Sequence, residues 1–160
     1  MFENAAINDG TQQIFYAVKE EAKANLPDLP NWYDQLGSFN KENISKHLDG
    51  VLVPYIEEVM LTGLTIQDLF KRNQIQEIDL LHIDTEGYDW KILSQLNLNY
   101  IKPKLILIEH KHLSQIERDS LIHFLKTDYL IFKLGGDMLG ILKNHPNMSE
   151  IKKLNGVSMA

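Results

Sequence analysis

Apolar and polar positions change period several times along the chain, and each change marks an element. Residues 2–7 read as the end of a strand, and Asn8-Asp9-Gly10 as a turn, because these residues tolerate positive φ. Residues 12–18 alternate, with Ile14, Tyr16 and Val18 on one face, which predicts a strand. Pro27 and Pro30 interrupt any helix in the irregular stretch 19–37. A short helix is expected from Asn40 to about residue 48, stopped by Asp49-Gly50, and a strand near 55–61. Thr65 to Asp68 has the pattern of a helix start, with the helix reaching about Asn73.

The centre is the most regular part. Ile78–Ile83 is a short apolar run of the kind found in a parallel strand buried on both faces. It stops at Asp84-Thr85-Glu86-Gly87, and a helix at about 88–97 follows, with Ile92, Leu93 and Leu96 on one side. Leu105–Ile108 forms the next buried strand and also ends in an acid, Glu109. Ser114-x-x-Glu117 is a capping-box pattern, opening a helix to about Lys126. Tyr129–Leu134 and Met138–Leu142 make a strand pair around Gly135-Gly136-Asp137, and residues after Asn144 form a weakly tied tail. Strands alternating with helices predict an α/β fold with an open, mostly parallel sheet, an antiparallel strand pair at its C-terminal end, and an inserted strand and loop region at about 10–62.

Charge and composition narrow the function. Acidic residues outnumber basic ones, 22 to 16, for a formal charge of -6. That balance argues against nucleic acid as a partner, which needs a basic face. The chain has no cysteine, so disulfides and thiolate chemistry are excluded. No apolar stretch is long enough to span a bilayer and the start has no leader pattern. The expectation is a soluble, cytoplasmic protein that does not engage membranes.

In open α/β sheets ligands bind beyond the carboxyl ends of the strands. Asp84, Glu86, Glu109, His110 and His112 all fall there. Asp84, Glu86 and Glu109 concentrate negative charge, which costs stability unless a cation or a reaction uses it. Asp89 reads as a helix-start acid and Glu109 as an acid within reach of Lys111. The candidate catalytic residues are Asp84, Glu86, Glu109 and His112. His82 reads as a core residue, and His47, His123 and His145 as surface residues. Trp32, Tyr33, Ser38 and Phe39 lie in the insertion, and Trp32, Tyr33 and Ser38 are candidates for substrate contact. Three chemistries fit the acids: attraction of a sulfonium cofactor, oxygen ligation of a divalent metal, or general-base catalysis. Spacing does not choose among them, and no metal ligand set is assigned.

The stretch Ile78–Gly87, IDLLHIDTEG, resembles the signature strand and turn of the FkbM methyltransferase family. Asn4–Gly10, Gly37-Ser38-Phe39, Leu64-Thr65-Ile66 and Pro103–Glu109 resemble further parts of that family in the same order, so that the likeness covers about residues 2–142. The resemblance implies a class I (Rossmann-like) methyltransferase sheet of strand order 3-2-1-4-5-7-6. It also implies S-adenosylmethionine as methyl donor and a hydroxyl on a small molecule, sugar or natural product as acceptor. It gives Ala5, Ala6 and Asp84 as cofactor-contact positions. The family's glycine-rich cofactor loop has no counterpart, since Gly135-Gly136 lies near the C-terminus. Residues 1–145 are therefore expected to be a truncated domain and 146–160 a tail, with weak or no activity alone. With an apolar 78–83 strand left at an edge, the chain is expected to be marginal alone, or to cover that edge with its N-terminal hairpin or a partner, self-association included. The competing readings are a metal-dependent hydrolase using Asp84, Glu86 and Glu109, and a non-catalytic remnant.

Overall fold

The alternation at 12–18 does form a strand, β1 (Gln12–Val18), and its partner is the strand β3 (Ile56–Thr62). They pair antiparallel from Gln12↔Thr62 to Val18↔Ile56. The two-residue β2 (Gly37–Ser38) flanks β1 on its other side, giving the order β2-β1-β3. This is a computed structural model, and it describes residues 3–151 and 158–159. Between the strands lie the short helices α1 (Glu21–Asn25) and α2 (Lys41–Ser45). Val18, Ala22, Tyr33, Leu36, Ile44 and Leu52 form a core beneath them.

Asn40 caps α2 by accepting from the amide of Glu42. The helix ends at Ser45, short of residue 48, because Leu48 and Asp49 sit at φ 51° and 54°. Left-handed backbone cannot continue a right-handed helix. The chain there folds into a tight turn that directs His47 inward.

The second sheet contains β4 (Leu80–Ile83), β5 (Leu105–Glu109), β6 (Tyr129–Leu134), β7 (Asp137–Leu142) and β8 (Ser158–Met159), in the order β4-β5-β7-β6-β8. β4 and β5 are parallel, in register from Leu80↔Leu105 to Ile83↔Ile108. The other three ladders are antiparallel. The protein is thus mixed α/β, and the expectation of a mostly parallel sheet is corrected. The cause is local: Gly135, at φ 66°, turns β6 straight back into β7, which inserts between β5 and β6 and opposes both.

The helices α3 (Ile66–Arg72), α4 (Asp89–Leu93) and α5 (Gln115–Leu125) cover this sheet. Thr65 caps α3 by accepting from the Asp68 amide, and Ser114 with Glu117 completes the capping box of α5. α4 ends at Leu93, with Ser94 as its C-cap, rather than at 97. Gln95 turns its amide away, donating to Asn8 O and accepting from Ile66 N. That side chain ties the N-terminal segment and α3 to α4. Ile83, Ile92, Leu93, Ile106, Leu121 and Tyr129 belong to the main core.

Further expectations change. Residues 3–7 are not a strand: only Ile7 bridges, in parallel with Leu64. Phe2 of that segment lies outside the described residues. β4 is an edge strand with Leu80 and His82 exposed, so it is not buried on both faces and His82 is not a core residue. With β5 as its neighbour on one side and no strand on the other among the described residues, its outer edge meets solvent. The N-terminal hairpin does not cover that edge, because β1 and β3 pair within their own sheet. In the C-terminal tail α6 (Met148–Ile151) forms, and β8 pairs with β6 at Phe132↔Met159. Residues 152–157 and 160 lie outside the described residues. Among the described residues no helix is long and apolar enough to cross a membrane.

Candidate functional site

The site begins where β4 stops. Asp84-Thr85-Glu86-Gly87 must cross from a strand into α4 within four residues, and Glu86 adopts φ 51° and Gly87 φ 94°. A glutamate in the left-handed region is strained by about 1 kcal/mol, and such strain persists only where the surroundings fix it. Here they fix it from two directions. Asp89, fully buried, accepts from the Thr85 amide at 3.2 Å and the Gly87 amide at 3.0 Å. From the N-terminal region, Asn43 donates its side-chain amide to the Glu86 carbonyl. A Cβ on residue 87 would stand 2.6 Å from that Asn43 nitrogen, so glycine is required there twice over. Burial pushes the Asp89 carboxyl upward, against the lowering effect of the amides it accepts from.

The Glu86 carboxylate is then aimed at two imidazoles. Its Oε2 lies 3.2 Å from His47 Nε2 and 3.3 Å from His112 Nε2. Glu109, at the end of β5, places Oε2 3.7 Å from the same His112 nitrogen, and Lys111 approaches its other oxygen at 3.8 Å. One ligand atom each of Glu86, Glu109 and His112 fall within 4.8 Å of one another. Burial, then the charges of Asp84, Glu86 and Asp89, push the Glu109 carboxyl up to about 7, while Lys111 pulls it down.

That shift predicts a pH dependence. A carboxyl whose folded value lies above its ordinary 4.5 contributes fully below that value and loses the contribution as pH rises through about 7. The side chain is 15% exposed, so screening is modest. The whole effect is about 3 kcal/mol for this group alone, of which about 1.4 kcal/mol falls between pH 6 and pH 8. The chain dialysed against chelator should therefore be more easily unfolded by urea at pH 8 than at pH 6, and Glu109→Gln should flatten that slope. An unchanged slope in the variant would show that Glu109 titrates normally.

Beside this cluster lies a cleft of about 390 Å³. Its walls include Ala5, Ala6, Phe15, Phe39, Asp84 and Tyr88. Phe15 meets Phe39 edge-on at 5.2 Å, and Phe39 lies 4.8 Å from Tyr88. Gly37 makes room for this stack, because a Cβ there would come within 2.5 Å of the Phe15 ring. The three-stranded sheet thereby delivers its aromatic side chains to the mouth of the second sheet.

The structure sorts the residues singled out in the sequence. Asp84, Ala5, Ala6 and Ser38 line the cleft. Glu86, Glu109 and His112 gather in the adjoining cluster. Asp84 and Glu109 stand at the same end of neighbouring strands, but Glu109 faces His112 and not the cleft wall. Trp32 is 43% exposed and its ring lies edge-on to His47 at 6.4 Å. Tyr33 is not a cleft residue. It is buried in the N-terminal core and donates its hydroxyl to Glu20 O, since a tyrosine in a small core needs a partner for its hydroxyl. His47, read as a surface residue, is a correction of the opposite kind. It and Asn43 join the site from positions 39 and 43 residues away from Glu86, and no local pattern marks either.

The fold and the site together define a mixed α/β protein with a ligand cleft and an acid–imidazole cluster at the carboxyl ends of its parallel strands. The family model of the methyltransferase FkbM domain matches residues 2–146, and the chain belongs to that family. Neither the curated proteins nor the solved structures contain a match to it.

Proposed function

We propose that this protein transfers a methyl group from S-adenosylmethionine to a hydroxyl of a sugar or other small molecule. Family membership supports the reaction class. The observation that carries the residue assignment is the turn 84–87, which presents Asp84 to the cleft and Glu86 to two imidazoles. The order β4-β5-β7-β6 agrees with the last four strands of a class I sheet.

The cleft suits the sulfonium end of the cofactor. A carboxylate at Asp84 and the faces of Phe15, Phe39 and Tyr88 attract a cation and keep water away from it. When bound, the cofactor supplies an electrophilic methyl group. The chain's own work is to hold the acceptor hydroxyl in line and receive its proton, since a neutral alcohol is a poor nucleophile. Glu86 is the proton acceptor, steadied by His47 and neighboured by His112. Ser38, buried against the Glu86 carbonyl, helps fix where that carboxylate begins.

A charge comparison tests the cofactor part. S-adenosylmethionine is cationic at sulfur and S-adenosylhomocysteine is not. Asp84→Asn should weaken the first by about tenfold more than the second in calorimetric titrations, as a lost ion–carboxylate attraction of about 1–2 kcal/mol requires. Equal weakening of both would remove Asp84 from the sulfonium's surroundings. No binding of either by the wild-type chain would overturn the proposal.

A further inference from the structure

We infer that Glu86, Glu109 and His112 form a binding site for a divalent transition-metal cation, with His47 holding Glu86 from outside it. The first support is the donor set. Two carboxylates and one imidazole, from the 84–87 turn, the end of β5 and the loop after it, converge with their ligand atoms within 4.8 Å. Mixed oxygen and nitrogen donors suit Mn²⁺, Fe²⁺ or Zn²⁺ better than Ca²⁺ or Mg²⁺.

The second support is spacing. Two donors sharing one cation at bonds of about 2.1 Å stand about 3.0–3.4 Å apart. Glu86 Oε2 and His112 Nε2 are 3.3 Å apart, and His112 Nε2 and Glu109 Oε2 are 3.7 Å apart. The third pair, Glu86 and Glu109, lies within 4.8 Å, so the two carboxylates would have to draw together around the cation.

The third support is what the donors fail to do for each other. Glu109 Oε2 and His112 Nε2 are both shut off from solvent, and neither has a hydrogen-bond partner. A simple imidazolium–carboxylate pair would close to about 2.8 Å, as charge-assisted hydrogen bonds do. These atoms instead stand 3.3 and 3.7 Å from their neighbours in the cluster. His47 completes the arrangement: its Nε2 bonds to Glu86 Oε2, the kind of outer contact that orients a ligating carboxylate.

Cation binding does not depend on the proposed reaction. Its catalytic use does rest on the methyl-transfer reading: a cation here would lower the pKa of an acceptor hydroxyl, so that less is asked of Glu86 as base.

Titration of the full chain, freed of metal by chelator, with Mn²⁺ followed by electron paramagnetic resonance is the test. One saturable site is expected, with electron-spin-echo modulation from an imidazole nitrogen. Glu109→Gln and His112→Gln should each weaken binding by at least about tenfold, and His112→Gln should abolish the nitrogen signal. His123→Gln, on the exposed face of α5, should change neither. Absence of saturable binding to the wild-type chain, or binding without nitrogen modulation, overturns the inference, and neither result needs a variant to fold. Binding undiminished in both ligand variants overturns it equally. Titrating S-adenosylhomocysteine into the same samples separates the two ideas. Cofactor binding without Mn²⁺ binding ends this inference alone, and the reverse ends the methyl-transfer reading alone.

Discussion

Asp89→Ala should lower stability by about 2–4 kcal/mol, because it strands the partly buried amides of Thr85 and Gly87 without their acceptor. Each unsatisfied donor costs about 1–3 kcal/mol, and a small cavity adds to that. The charge itself contributes little to offset this. Burial already pushes the Asp89 carboxyl upward, so the desolvation cost outweighs what its hydrogen bonds return to the ionised form. Asp89→Asn should accordingly be milder, since its carbonyl can still accept one of the two amides. The larger consequence is positional. With both amides released, Glu86 loses one of the two supports for its left-handed backbone and relaxes. Urea unfolding gives the stability. The chemical shifts of the His47 and His112 rings report whether Glu86 has left them. A stable variant with unmoved imidazole signals would show that Asn43 alone holds the turn.

For Glu86→Gln the expected loss is in turnover: about 10²–10⁴-fold, the usual contribution of a positioned general base. Glutamine has the same shape, tolerates the same backbone, and can still accept from His47, so folding should be nearly unaffected. The binding of S-adenosylhomocysteine should also be unchanged, because Glu86 is not a wall of the cleft. Release of S-adenosylhomocysteine from S-adenosylmethionine in the presence of hydroxylated sugars measures the turnover. A drop in kcat with KM for the acceptor preserved would fit loss of an interaction made in the transition state. Turnover equal to that of the wild-type chain would exclude Glu86 as the proton acceptor. A rise in KM with kcat unchanged would make it a residue that only positions the acceptor.

Much of the local structure follows from the sequence because it depends on neighbours along the chain. The alternation at 12–18, the Thr65 and Ser114 caps, the apolar run of β5 and the glycine turn between β6 and β7 all act within a few residues. For the same reason the acids at 84, 86 and 109 could be assigned to strand ends before any strand was placed in space. Even so, apolar content misled at β4. Leu80 and His82 looked interior, yet burial of a strand depends on which strands flank it, and β4 lies at an edge.

The tertiary structure alone decided which residues meet. Tyr33 and Trp32 are adjacent in sequence, but one fills a core and the other reaches His47. His47 and Asn43 carry no mark of their own. They matter because two left-handed residues, Leu48 and Asp49, end α2 early and fold the chain back toward the second sheet. The chain by itself sets periodicity, capping and the positions of acids at strand ends, since these are short-range effects of side-chain size, polarity and allowed φ. The convergence of Glu86, Glu109, His112 and His47 is a long-range event. It is set by how two sheets pack and by the strain stored at Glu86, neither of which leaves a trace in local spacing.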